Sequence, residues 1–169
     1  MSEEDNARQL ICQVGRSLFE RGYVHSTAGN ISVALSDEAG GGYLITPSDA
    51  CLGFLDPDAL ARTDGALQQT SGARMSKTIQ LHHRIYTATA ATDQPAGCII
   101  HTHSTNCVAA TFATDPRDRP HFEPIPPVTP YFVMKVGHVP LIPYARPGAD
   151  GVATQVKAAI HTYATRNCI

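Results

Sequence analysis

No apolar run in this chain of 169 residues approaches the ~18 residues that a membrane-spanning helix requires. Charge of one sign is not in excess either. A net charge of −2 and an isoelectric point near 6.4 offer no basic surface to nucleic acid or to an anionic membrane. The N-terminus, Met1-Ser-Glu-Glu-Asp5, lacks the basic and apolar regions of a signal peptide. There is no CxxC pair, and the five cysteines (Cys12, Cys51, Cys98, Cys107 and Cys168) are odd in number and widely spaced. They read as reduced thiols of a cytoplasmic protein, mostly packed as small hydrophobes. Repeats, low-complexity tracts and linkers are missing as well. With 43% hydrophobic and 17% charged residues the chain is globular, and its length suits a single domain.

What is present is an irregular alternation of helical and extended patterns. Ser2 with Asp5 forms a capping signature, and Leu10, Ile11, Val14, Leu18 and Phe19 recur at helical spacing, so a first helix ends near Arg21-Gly22. Ile31 to Leu35 and Tyr43 to Thr46 read as a hairpin around a glycine-rich loop. Asp56-Pro57 opens a short helix over Asp58 to Ala61, and Asp64-Gly65 turns between two short extended pieces. A helix is expected from Ser76 to about Ala91, a strand from Cys98 to His103, and a helix capped by Ser104 through Phe112. Pro116 to Pro130 reads as an irregular surface loop. Tyr131 to Val136 and Val139 to Ile142 read as strands, and Gly151 to Ala164 as a last helix. This pattern predicts an α/β protein with a mixed sheet covered by helices, not a doubly wound parallel one.

The segment Cys98-Ile-Ile-His-Thr-His-Ser104 carries the clearest chemistry. In a strand, residues i and i+2 project from one face, so His101 and His103 can chelate one divalent metal. The plainer alternative is a chance HxH whose histidines satisfy buried hydrogen bonds. Gly29-Asn30-Ile31-Ser32 opens a strand after a helix. Its glycine allows close approach of a ligand, and the Asn30 amide can donate to an anion, although an ordinary turn looks the same. Thr46-Pro47-Ser48-Asp49, at a strand end, could hold phosphate oxygens or simply turn. Ser76-Lys77 at a helix start combines free N–H groups, the helix dipole, a hydroxyl and an ammonium, which suits a phosphate as well as a plain cap. His82 shares a helix face with Thr78, Ile85 and Tyr86 and reads as a packed core histidine. His25, His121, His138 and His161 have no partner spacing and read as structural or exposed. Gly40 to Gly42 lead into no helix, which excludes a nucleotide-binding phosphate loop.

The order of these motifs resembles the class II aldolase/adducin family. Arg21-Gly22-Tyr23, Ala28 through Ser32, Ile45 through Ser48, Ser76-Lys77, His101 through Ser104 and Pro130-Tyr131 carry the resemblance over nearly the whole chain. Cys51 to Pro57 and Val139 to Gly148 resemble more particularly the branch that decarboxylates 3-oxo-tetronate 4-phosphate in acid-sugar catabolism. The resemblance implies a three-layer α/β/α fold with a central, largely antiparallel sheet, assembled as a homotetramer with sites between subunits. It implies one divalent metal, Zn²⁺, held by His101, His103 and a third histidine further on. Asn30, Ser48, Asp49, Ser76 and Lys77 would form a phosphate anchor, with Asp49 where the family has glycine. Tyr131 matches a tyrosine that reaches into a neighbouring subunit's site.

Two departures stand out. The family's catalytic glutamate, four residues before the helix histidine, falls on Thr78, which cannot accept a proton at neutral pH. The third metal histidine falls beyond Ile169, so the resemblance implies one domain over residues 1–169 that lacks its C-terminal segment; His161, on a helix, is a poor substitute. The implied reaction is metal-dependent decarboxylation of a phosphorylated sugar acid to dihydroxyacetone phosphate and CO₂, with no nucleic-acid or membrane partner. The alternatives are a sugar-phosphate aldolase of the fuculose or ribulose phosphate type, which passes through the same enediolate, and a non-catalytic member like the adducin head.

Overall fold

The computed structural model describes residues 1–112, 123–144, 146, 150–163 and 168. They fall into two compact units, Met1–His82 with Ala96–Ser104, and His83–Pro95 with Thr105–Ile169.

In the first unit, α1 (Glu3–Glu20) starts at a full capping box. The Ser2 hydroxyl accepts from the Asp5 N–H, and the Asp5 carboxylate accepts from the Ser2 N–H, each at 3.0 Å. Its buried residues Ala7, Ile11 and Gly15 are spaced by four along one face. Strands β1 (Asn30–Ala34), β2 (Tyr43–Ile45), β3 (Ala61–Thr63), β4 (Gln69–Ser71) and β5 (Cys98–His101) form one sheet in the order β4-β3-β2-β1-β5. Every pairing is antiparallel, so the sheet in the described residues is not mixed as the sequence pattern suggested. Short hairpins join β1 to β2 and β3 to β4, and hairpins can only produce antiparallel neighbours. Ile31 and Leu44 face α1 and pack with Ile11, Leu35, Leu52 and Leu60, all nearly inaccessible to water. The alternate residues of the same strands face the other way, where Ile45, Ala61 and Ile79 form a second cluster. Arg8 braces α1 to the following loops. Its guanidinium pairs with Glu4 at 2.6 Å and donates to the carbonyls of Pro57 at 2.7 Å and Leu60 at 3.0 Å.

Asp56 caps as expected, but the helix it opens is one 3₁₀ turn, Pro57–Ala59. Ala61, placed at the helix end by the sequence pattern, belongs instead to β3, where it pairs with Ile45. The HxH strand is also shorter than its pattern, since β5 ends at His101.

Helix α2 (Ile79–Thr89) begins in the first unit and continues in the second, which also holds α3 (Thr105–Phe112), α4 (Pro130–Lys135) and α5 (Asp150–Tyr163). Tyr131 to Val136 is therefore not a strand. Thr129 caps a helix there, accepting from the Phe132 N–H at 3.1 Å, and Pro130 supplies a pre-set φ at the first helical position. Val139 to Ile142 has no regular structure; the Val139 N–H is held by Glu123 at 3.3 Å. On α5, Val156, Ala159 and Ile160 are buried at helical spacing. Part of the Pro116 to Pro130 stretch, with His121, lies outside the described residues, as does Ala164.

Candidate active site

The register of the sheet assembles the polar residues. Asn30 of β1 lies directly opposite His101 of β5, and Ser32 opposite Ile99. Because Ile31 faces α1, Asn30, Ser32 and His101 share the other face. Gly29 makes this approach possible: its φ is +90°, and a Cβ there would lie 2.7 Å from the His101 carbonyl oxygen.

The turn leading into α2 meets that face. The Ser76 hydroxyl accepts from the Thr78 N–H at 3.3 Å and donates to the Thr78 hydroxyl at 3.2 Å. The Asn30 amide donates to the same Thr78 oxygen at 3.3 Å. Asn30, Ser76 and Thr78, separated by up to 48 positions, are thus one hydrogen-bonded group. Ser48 joins it through the chain: its hydroxyl donates to the Met75 carbonyl at 3.0 Å and its N–H to the Arg74 carbonyl at 2.8 Å. Lys77 is exposed beside buried Ser76. Asp49 has a φ of +60°, the left-handed region that favours glycine, and its exposed carboxylate pairs with Arg74 at 3.1 Å.

The histidines lie deeper. His82 is wholly buried, and its Nδ1 lies 2.7 Å from the Ser32 hydroxyl. Burial, with the charge of His101 second, pushes its pKa down to about 3, so the ring is neutral. This is the packed core histidine the helix face predicted. Burial, and then the charge of His103, also hold His101 below the ordinary histidine value. The His101 and His103 ring centroids are 4.8 Å apart, and His103 is exposed beyond the strand end. Two imidazole rings this close can supply two nitrogen donors to one Zn²⁺-like ion. Among the described residues no group of three His, Cys, Asp or Glu side chains is placed to hold one.

Tyr131 lies in the second unit on α4, 71% exposed. His138 pairs with Glu123 at 2.6 Å, while His25 and His161 are exposed. The sequence reading passed over Ser32 as the partner of His82 and Arg74 as the partner of Asp49. The first was detectable, because Ser32 follows Asn30 by two and must share its face; the second depends on a contact across 25 positions.

The profile of the Class II Aldolase and Adducin N-terminal domain matches residues 9–169. A 3-oxo-tetronate 4-phosphate decarboxylase of Cupriavidus necator is 49% identical over 160 residues, 92% of this chain and 67% of that protein. One of Pectobacterium atrosepticum is 39% identical over 150 residues, 88% of this chain and 63% of that protein. The chain thus spans about two-thirds of the length of the curated relatives it matches. Among solved structures, YgbL of Klebsiella pneumoniae superposes with a TM-score of 0.81 at 36% identity, over 96% of this chain and 74% of that one. The L-fuculose-1-phosphate aldolase of Thermus thermophilus superposes with a TM-score of 0.70 at 25% identity, over 93% of this chain and 71% of that one. The five-stranded sheet, the polar face it carries and these matches agree: the chain belongs to the class II aldolase/adducin family.

Proposed function

We propose that the protein is a carboxy-lyase that converts a 3-oxo-tetronate 4-phosphate to dihydroxyacetone phosphate and CO₂. The observation that carries this reading is Thr78. It sits in the hydrogen-bonded group with Asn30 and Ser76, at the position that the family resemblance gives to a catalytic glutamate, and offers only a hydroxyl. Aldol cleavage must remove a proton from a hydroxyl. Decarboxylation of a 3-oxo acid needs no such base: the C1–C2 bond breaks, CO₂ departs, and the electron pair passes through C2 and C3 onto the ketone oxygen. The similarity to relatives named as decarboxylases supports the same choice.

In this reading the turn before α2 anchors the phosphate through the helix dipole, the Lys77 ammonium and the polar groups of Asn30, Ser48 and Ser76. Asp49 lies at its rim, its charge offset by Arg74. That remote binding fixes the reacting carbons against His101 and His103. The two histidines would hold Zn²⁺, which supplies positive charge that stabilises the developing oxyanion. In a homotetramer with sites between subunits, Tyr131 from a neighbouring copy supplies the proton that replaces the carboxylate on C2. The substrate is a small anion, and a cytoplasmic protein without nucleic-acid or membrane partners suits it; among the described residues no helix is long and apolar enough to cross a membrane.

A zinc-loaded preparation should release CO₂ from the substrate and stop when a chelator strips the metal. Thr78→Glu should raise the rate only if the site is a weakened member of the family whose slow step is proton delivery to C2, since a positioned acid–base group contributes ~10²–10⁴-fold where proton transfer limits. Cleavage of fuculose 1-phosphate without CO₂ release would establish the aldolase alternative. Neither activity, with no bound metal, would establish an adducin-like structural role.

A further inference from the structure

Four polar side-chain atoms are buried without a hydrogen-bond partner among the described residues; one, Thr63 Oγ1, lies out on β3, and the other three, Asn30 Oδ1, His82 Nε2 and His101 Nδ1, gather around β1 and β5. They belong to neighbouring positions. Asn30 and His101 are direct partners across β1 and β5. His82 is tied to Ser32, two residues along β1 from Asn30, and its ring meets that of His101 edge-on, centroids 6.3 Å apart at 64°. Because Nδ1 of His82 is taken by Ser32, Nε2 lies on the side of the ring away from that bond. A buried polar atom left unpaired is costly, so three at neighbouring positions call for a shared partner.

We infer that one buried water joins Asn30 Oδ1, His82 Nε2 and His101 Nδ1, and that His82 is a positioning residue that sets the tautomer of His101. A buried water commonly makes about three hydrogen bonds. The donor count closes in one way that leaves His101 able to ligate outward. His82 carries its proton on Nδ1 and donates to Ser32 Oγ, so His82 Nε2 accepts. The water donates to that Nε2 and to Asn30 Oδ1, and accepts from His101 Nδ1–H. His101 Nε2 is then the bare nitrogen, free for a cation. The opposite tautomer of His82 would make its Nε2 a donor to the water. To use both its hydrogens the water would then donate to Asn30 Oδ1 and to His101 Nδ1, so His101 would carry its proton on the nitrogen that a ligand needs bare. Accepting from His101 instead would leave a buried water hydrogen unpaired. A neutral, fully buried His82 held by Ser32 therefore acts on His101 through one water, as outer partners of metal-bound histidines generally do.

The inference rests on His101 as a metal ligand, yet its first readout requires neither metal nor turnover. In the intact metal-free protein, ¹⁵N NMR of the imidazoles should show His101 as a single Nδ1–H tautomer, and His82→Phe should return it to a mixture. His82→Gln, whose amide can still accept from the water, should keep the single tautomer. Zinc affinity, read by competition with a chelator, should fall ~10–100-fold in His82→Phe and recover most of the way in His82→Gln. An Nε2–H tautomer in the unaltered protein overturns the inference. So does a His101 spectrum unchanged by His82→Phe, or zinc affinity that tracks only the loss of melting temperature in both variants. If the tautomer behaves as stated while the protein binds no zinc, it is the metal and lyase reading that fails.

Discussion

Lys77 is exposed, one residue after a buried serine and one before the threonine that joins Asn30 to Ser76. On sequence alone a solvated lysine and a phosphate ligand look the same. The neighbouring polar side chains of Asn30, Ser76 and Thr78 converge on the same turn, which supports the phosphate reading. A hydrogen bond to a charged group contributes ~1.5–3 kcal/mol, so Lys77→Ala should raise KM for a phosphorylated substrate about tenfold or more and leave that for an unphosphorylated analogue nearly unchanged. Steady-state kinetics on the two substrates checks this, and equal effects would mark Lys77 as a surface residue. Asp49 shows the limit of reading a residue by type. Its left-handed backbone explains why a glycine would suit the position, and only the Arg74 contact explains how an acid is tolerated there.

Element by element, local signals that act within one turn were reliable. Ser2 and Asp5 close a capping box as their spacing implied, and Ser2→Ala should cost ~1 kcal/mol, measurable by denaturant unfolding. The same helix start gives an acid-sensitive increment. The Ser36 hydroxyl, then its N–H, hold Glu3 below 4.5, and the Ser2 N–H, then its hydroxyl, hold Asp5 below 3.8. Folded values below the unfolded ones mean the stabilisation is complete above about 4.5 and disappears as pH falls through the lowered values. Melting curves from neutral to acid pH should therefore show a weaker acid dependence in Glu3→Gln than in the unaltered protein. Of the two expected strands that did not form, one had its signal in plain view. Thr129-Pro130 is a cap followed by proline at the first helical position, and it outweighed the strand-like run of aromatic and β-branched residues after it.

At the scale of the whole molecule, the first unit depends on the packing of α1 over β1 and β2. Leu44 is completely buried there with Ile11 and Ile31, so Leu44→Ala should cost ~2–5 kcal/mol in chemical denaturation through lost burial and the cavity left behind. The polar site should suffer with it, because Leu44 sits on the strand beside β1, and a shift of β1 displaces Asn30 and Ser32 together. Loss of stability with an unaltered melting cooperativity and intact zinc binding would mean that the two faces of the sheet are less coupled than their shared strands imply.

The amino-acid sequence by itself determined the first helix, the β1–β2 hairpin, the core role of His82 and the set of polar residues worth watching, since each follows from spacing within one element. Through the ordered motifs it also determined the family, which the matches over residues 9–169 bear out. Only the tertiary structure decided that Asn30 faces His101 and that Asn30, Ser76 and Thr78 bond to one another. It alone ended β5 at His101, made every described strand pairing antiparallel and paired Asp49 with Arg74. These facts rest on register and on contacts between residues tens of positions apart. A one-residue slip of β5 against β1 would turn His101 to the opposite face without changing a letter of the sequence.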